Sequence, residues 1–172
     1  VYNDASATDN CGTTAISVVE STIPGNAAGN YTVVRTFTAT DDSGNATTLA
    51  QTITVEDTTA PELTIPGNFV VECSDAINLE SGTATDNCGA VTISVTDETI
   101  AGSSIGTYLI VRTHSASDDA GNTSASVQTI TVIDTTAPEL IIPSDYSVEC
   151  SDEIVLADAT STDNCGTSTV AI

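Results

Sequence analysis

Only a few kinds of residue in this 172-residue chain can do chemistry: five cysteines, 24 acids, Arg35, Arg112 and His114, with no lysine. They are regularly spaced. Cys11, Cys88 and Cys165 each stand in a Thr-Asp-Asn-Cys-Gly run at a constant step of 77, and Cys73 and Cys150 are separated by the same step. Cys73 and Cys88 lie 15 residues apart, as do Cys150 and Cys165. The expected chemistry is disulfide formation, Cys73–Cys88 and Cys150–Cys165, with Cys11 taking a partner upstream. The alternative, a bond between cysteines of neighbouring copies, would crosslink an array. A loop of about 15 residues closed by a disulfide contributes ~3 kcal/mol in the chain-entropy model, and disulfides imply an oxidising, extracellular setting. Zinc is a poorer fit, because two cysteines per copy and a histidine in one copy only cannot supply four ligands.

The acids suggest a second chemistry. Asp57, Asp86, Asp118, Asp119 and Asn122 offer the carboxylate and amide oxygens that calcium takes in sets of about six to eight. An ion shared among them is expected to cancel repulsion at a junction between copies and stiffen it. The competing reading is plain turn formation, since Asp and Asn side chains hydrogen-bond their own backbone and no EF-hand or nonapeptide calcium loop is present.

Arg35 and Arg112 fall in phase with core-facing residues, and a buried guanidinium needs a carboxylate partner. Glu20 and Asp97 occupy matching places in the preceding strand, so Glu20–Arg35 and Asp97–Arg112 are expected as structural ion pairs. The other reading is an exposed edge position with the arginine stem covering apolar surface. His114 stands where the other copy has Phe37 and is expected to fill an aromatic slot. No nucleophile elbow, phosphate loop or histidine metal motif occurs. The chain reads as no enzyme.

A net charge of −22 with two cationic residues excludes nucleic acid, whose phosphates need Lys and Arg clusters. It also closes the isopeptide crosslink, which needs a lysine. No run approaches the ~18 apolar residues of a membrane span, so direct membrane insertion is not expected.

The elements that must position these groups follow from the repeat. Asp57-Thr58-Thr59-Ala60-Pro61-Glu62-Leu63 recurs unchanged as Asp134 to Leu140, and residues 1–77 match 78–154 without a gap at 42 positions. This gives a partial copy at 1–57, a complete copy at 58–134 and a partial copy at 135–172, a window on a tandem array. Within the complete copy, short β-runs are divided by Gly, Asn, Asp and Pro. Thr107 to Asp118 and Thr123 to Asp134 flank a turn at 119–122; earlier strands are expected at 63–65, 69–73, 77–80, 83–86 and 90–97. Seven short strands suggest an all-β architecture, immunoglobulin-like β-sandwich repeats in tandem with a period of 77. Counting strand reversals puts Cys73, Asp86 and the 118–122 turn at the incoming pole, beside Asp57.

The runs TATDNCG at 83–89, GTYLIVRTHSASDDAGN at 106–122 and QTITVIDTTAPE at 128–139 resemble the hyalin-type repeats of large secreted surface proteins, particularly those of Bacteroidetes. The resemblance implies an immunoglobulin-like fold and a role as stalk, filament or adhesive module at the cell surface, with neighbouring repeats, and identical chains in a filament, as partners. The alternatives are a glycan- or protein-binding adhesive module, or an accessory module of a secreted enzyme. Related repeats carry further cysteines near Ile23, Pro24, Ser43 and Ala120, absent here, so a second disulfide per copy is not implied. Asp-Thr-Thr also resembles an O-glycosylation signal, pointing to Thr58 and Thr135, against the reading of an ordinary linker.

Overall fold

The computed structural model describes residues 5–171. Every regular element among them is a β-strand. The eleven strands are β1 (Thr14–Pro24), β2 (Tyr31–Asp41), β3 (Ala46–Val55), β4 (Glu62–Thr64), β5 (Phe69–Glu72), β6 (Thr83–Thr85), β7 (Val91–Ala101), β8 (Tyr108–Asp118), β9 (Thr123–Ile133), β10 (Glu139–Ile141) and β11 (Thr160–Thr162). The chain is all-β, with the sheets expected of β-sandwich repeats.

In the first copy, β1, β2 and β3 form an antiparallel meander. Strict alternation of side chains sets which residues share a face. Ile16, Ala39 and Thr47 form one cross-strand row and Val18, Phe37 and Leu49 the next on the same face. Two tight turns hold the register. Gly29 takes φ +79° before β2, a conformation that costs glycine nothing, and the Asp41 amide donates to the Asn45 carbonyl at 3.0 Å between β2 and β3.

The complete copy builds a four-stranded sheet in the order β5-β9-β8-β7, with β4 paired to β6. In the third copy β10 and β11 pair antiparallel. Alternation along β8 buries Ile110, Arg112, His114, Ala116 and Asp118, and along β9 it buries Gln128, Ile130 and Val132. Among the described residues, the buried apolar side chains are Ile110, Ala116, Ile130 and Val132, with Pro61 of the linker. A core this thin leaves the ion pairs, side-chain hydrogen bonds and disulfide a large share of the task of holding the fold.

Three expectations are corrected. Residues 77–80 form no strand, and the strand expected at 90–97 runs from Val91 to Ala101. The third correction moves a cysteine: β5 pairs parallel with β9, Phe69 opposite Ile130 and Glu72 opposite Ile133. Because β9 leads away from the turn at 118–122, β5 carries Cys73 away from that turn too, and the Cys73 amide donates to the Ile133 carbonyl at 2.8 Å. Pro66, which has no N–H for a ladder, lies between β4 and β5. The Gln128 amide donates to the Gly67 carbonyl at 2.8 Å and the Thr129 amide to Asn68 Oδ1 at 2.8 Å. These two bonds dock the connecting segment on β9.

The described chain divides into two compact units. One takes in the chain up to Glu62 with Ala84–Thr92 and Ala116–Ser124; the other takes in Leu63–Thr83, Ile93–Ser115 and the chain from Ala125 onward.

Candidate junction site

Three carboxylates meet inside the first unit: Asp57, Asp86 and Asp118 each place an oxygen within 4.8 Å of the others. Each is held by its own local geometry. Asp57 lies in the linker after β3, where its amide donates to Asn30 Oδ1 at 2.6 Å and its carboxylate accepts from the Thr59 amide at 3.1 Å. Asp86 follows β6 and accepts the Cys88 amide at 2.8 Å. The same turn recurs at Asp9 with Cys11 and at Asp163 with Cys165, also at 2.8 Å.

Asp118 ends β8 and is held most tightly. Its Oδ1 accepts the amides of Gly121 at 2.7 Å and Asn122 at 2.9 Å, and its Oδ2 accepts the Asn122 side-chain amide at 2.9 Å. Burial pushes its pKa upward, but the bonds from the Asn122 side chain and from the backbone of Asn122, Gly121 and Ala120 outweigh that and leave it below the ordinary aspartate value. The turn chemistry expected of these residues is therefore present.

Turn bonds do not use every oxygen. Oδ2 of Asp86 is buried with no hydrogen-bond partner, a costly position for a carboxylate oxygen. Three acids at this separation also repel one another. An oxygen-seeking divalent cation fits this donor set on both counts. The other two expected ligands stand differently. Asn122 turns its amide N–H groups to Asp118 and to the Asp57 carbonyl, the latter at 3.2 Å. Asp119 lies beside Gly89, where an added Cβ would sit 3.6 Å from Asp119 Oδ2.

Cys88 borders the trio. Burial raises its thiol pKa, and the charges of Asp57, Asp86 and Asp118 raise it further, against a lowering bond from Asn87.

In the second unit the expected disulfides are corrected. Cys73 is bonded to Cys165, 92 residues further on, with a Cα–Cα distance of 5.8 Å, while Cys11, Cys88 and Cys150 are unpaired. Cys73–Cys88 and Cys150–Cys165 do not form, because β5 delivers Cys73 to the end of β9 rather than to its start. Glu72, Cys73, Asp134 and Cys165 lie together there, but a disulfide offers no thiolate to a metal. Glu72, which the sequence did not single out, clasps the linker: it accepts the Thr135 amide at 2.9 Å, the Thr135 hydroxyl at 2.8 Å and the Thr136 hydroxyl at 3.2 Å. The Thr135 bonds, backbone first, pull its pKa down against the opposing effect of burial.

Both ion pairs are formed. Arg112 reaches Asp97 at 2.7 Å from a buried position, and Arg35 reaches Glu20 at 2.7 Å with its guanidinium 5.0 Å from the centre of the Phe37 ring. His114 is fully buried and accepts the Gly82 amide on Nδ1 at 3.3 Å. It fills the slot of Phe37 and adds one bond that Phe37 cannot make. Thr58 is exposed; the Thr135 hydroxyl is engaged by Glu72.

No protein-family model matches the chain. The chain is similar to hyalin of Lytechinus variegatus, 30% identical over 165 residues that cover 90% of this chain and 29% of that protein. It is also similar to hyalin of Strongylocentrotus purpuratus, 32% identical over 182 residues that cover 96% of this chain and 15% of that protein. The chain spans less than a third of the length of these relatives. The likeness is distant, but it runs through most of the chain, and it agrees with the resemblance carried by the repeat motifs.

Proposed function

We propose that this chain is a non-catalytic repeat segment of an extracellular surface protein, acting as a stalk or filament whose copies 1–57, 58–134 and 135–172 are joined through calcium-bridged linkers. One observation carries the reading: Asp57 of a linker converges with Asp86 and Asp118 of the following copy, and one buried oxygen in the trio lacks a partner. A bound cation would neutralise that convergence and restrict the linker, so stiffness would depend on the ion. The hyalin likeness and the lack of any catalytic motif in the sequence support the structural role. The repeat motifs favour a bacterial cell surface as its setting.

The test is small-angle scattering together with thermal melting of the chain in millimolar calcium and in EDTA. A ligand that binds only the folded state at 100 times its Kd stabilises by about 2.7 kcal/mol, so calcium should raise the melting temperature and sharpen the distance distribution. Asp86→Asn should remove both responses. Identical curves in calcium and EDTA would eliminate the ion and assign joint stiffness to the linker hydrogen bonds.

A further inference from the structure

The bond between Cys73 and Cys165 joins the Val-Glu-Cys-Ser-Asp cysteine of one copy to the Thr-Asp-Asn-Cys-Gly cysteine of the next, and its span of 92 residues exceeds the repeat period. We propose that Cys88 and Cys150 are half-sites of the same bond to adjoining copies. Cys88 takes the cysteine one such span before it and Cys150 the one an equal span after it. In a run of copies these bonds overlap into a continuous covalent ladder.

The surroundings of the unpaired cysteines reproduce those of the paired ones. A Cβ added to Gly29 would sit 3.0 Å from the Cys88 Cβ and 3.3 Å from its carbonyl oxygen; one added to Gly106 would meet the same two atoms of Cys165, with the Cβ at 3.0 Å. Both glycines hold a positive φ, +79° and +81°. Cys88 and Cys165 each donate an amide to the aspartate two residues earlier at 2.8 Å. On the other side of the bond, the Asp75 amide donates to the Glu72 carbonyl at 2.9 Å around Cys73, and the Asp152 amide to the Glu149 carbonyl at 3.0 Å around Cys150. Each half-site has its turn in place.

Bond formation by exchange with oxidised glutathione balances. One cysteine thiolate attacks the glutathione disulfide and expels a glutathione thiolate, and the second cysteine then displaces the remaining glutathione. Two cysteine thiols are oxidised and two glutathione thiols are formed.

The connectivity sets how far an array can be stretched, a consequence that rests on the stalk role proposed above. From Cys165 the shortest covalent route to the next bond runs backwards to Cys150, which is 15 residues, or ~50 Å at about 3.5 Å per residue. Bonds confined within each copy would leave the remaining four-fifths of the repeat free to extend, ~220 Å on the same scale. The ladder thus restricts full extension about fourfold more than bonds within copies would.

The pairing is tested by non-reducing peptide mapping, first on this chain and then on the chain carrying one added copy at each end, both oxidised with glutathione. In the chain alone, a Cys73–Cys165 crosslink with Cys88 and Cys150 open to alkylation is expected. In the extended protein both thiols should become unreactive and appear in crosslinks of the same span as Cys73–Cys165. A Cys73–Cys88 or Cys150–Cys165 peptide, or free Cys88 in the extended protein, overturns the ladder. Single-molecule pulling then reads the extension. A fully extended length of ~50 Å per copy is expected, rising about fivefold on reduction, and a fully extended length of ~220 Å per copy without reductant refutes the restriction. Mapping does not depend on whether the array carries force, whereas the calcium comparison does not depend on the bonds, so failure of either reading is visible separately.

Discussion

Asp118 and Asp41 end equivalent strands and are held by equivalent turns. For Asp41 the Asn45 side chain contributes most, at 2.7 Å, followed by backbone amides, and its pKa too lies below the ordinary value. A carboxyl depressed in the folded state contributes stability that is present at neutral pH and lost as pH falls through its folded value. Melting temperature is therefore expected to drop steeply below about pH 4, near the ordinary aspartate range. Asp118→Asn should lower stability at pH 7 and flatten the acid limb, as thermal melts across pH would show. Cys88 behaves in the opposite sense. Burial and the three neighbouring carboxylates disfavour its thiolate, so at pH 8 it should react with iodoacetamide more slowly than exposed Cys11. Asp57→Asn should speed that reaction, as timed mass spectrometry would record.

At the scale of elements, the two ion pairs share a geometry but differ in burial. Asp97–Arg112 has side-chain exposures of 39% and 10%, whereas Glu20 in the other pair is 58% exposed. Exposed pairs contribute about 0.2–1 kcal/mol, while breaking a buried one costs about 3–5 kcal/mol. Between those limits, Asp97→Asn should cost about 2 kcal/mol and Glu20→Gln less than about 1 kcal/mol, measured by denaturant unfolding. The β5 connection offers a second test. Gln128→Ala removes the donor that holds the Gly67 carbonyl and should cost about 1–3 kcal/mol, with faster amide exchange across Phe69–Glu72. These elements also show what the sequence could and could not disclose. The meeting of Asp57, Asp86 and Asp118 was expected from a strand count that included 77–80, which forms no strand. The long strands, the hairpin at 118–122 and both ion pairs, by contrast, were legible, because alternation and turn residues encode them locally. The parallel placing of β5 was not. A four-residue strand carries too little periodicity to fix its direction, which depends on non-local bonds from Gln128 and Thr129. The disulfide expectation failed with it, since strand direction decides which cysteine Cys73 meets. Glu72 escaped notice for the same reason: its threonine partners lie 63 and 64 residues away in sequence.

At the scale of the molecule, 24 acids against two arginines give a net charge of −22 at pH 7 and an isoelectric point of about 4.1. Self-repulsion of that size keeps copies of the chain apart at neutral pH and vanishes at the isoelectric point. Light scattering should therefore rise to a maximum near pH 4, and the rise should reverse on return to pH 7 if the fold survives. Covalent connectivity has a separate consequence, for damage. The bond from Cys73 to Cys165 encloses the stretch between them, so a protease that cuts the backbone once anywhere in that stretch produces two ends but not two molecules. Where such loops overlap from copy to copy, every backbone position inside the run is bridged by at least one bond. A single nick then leaves the strand in one piece, and parting it takes either a reductant or several cuts.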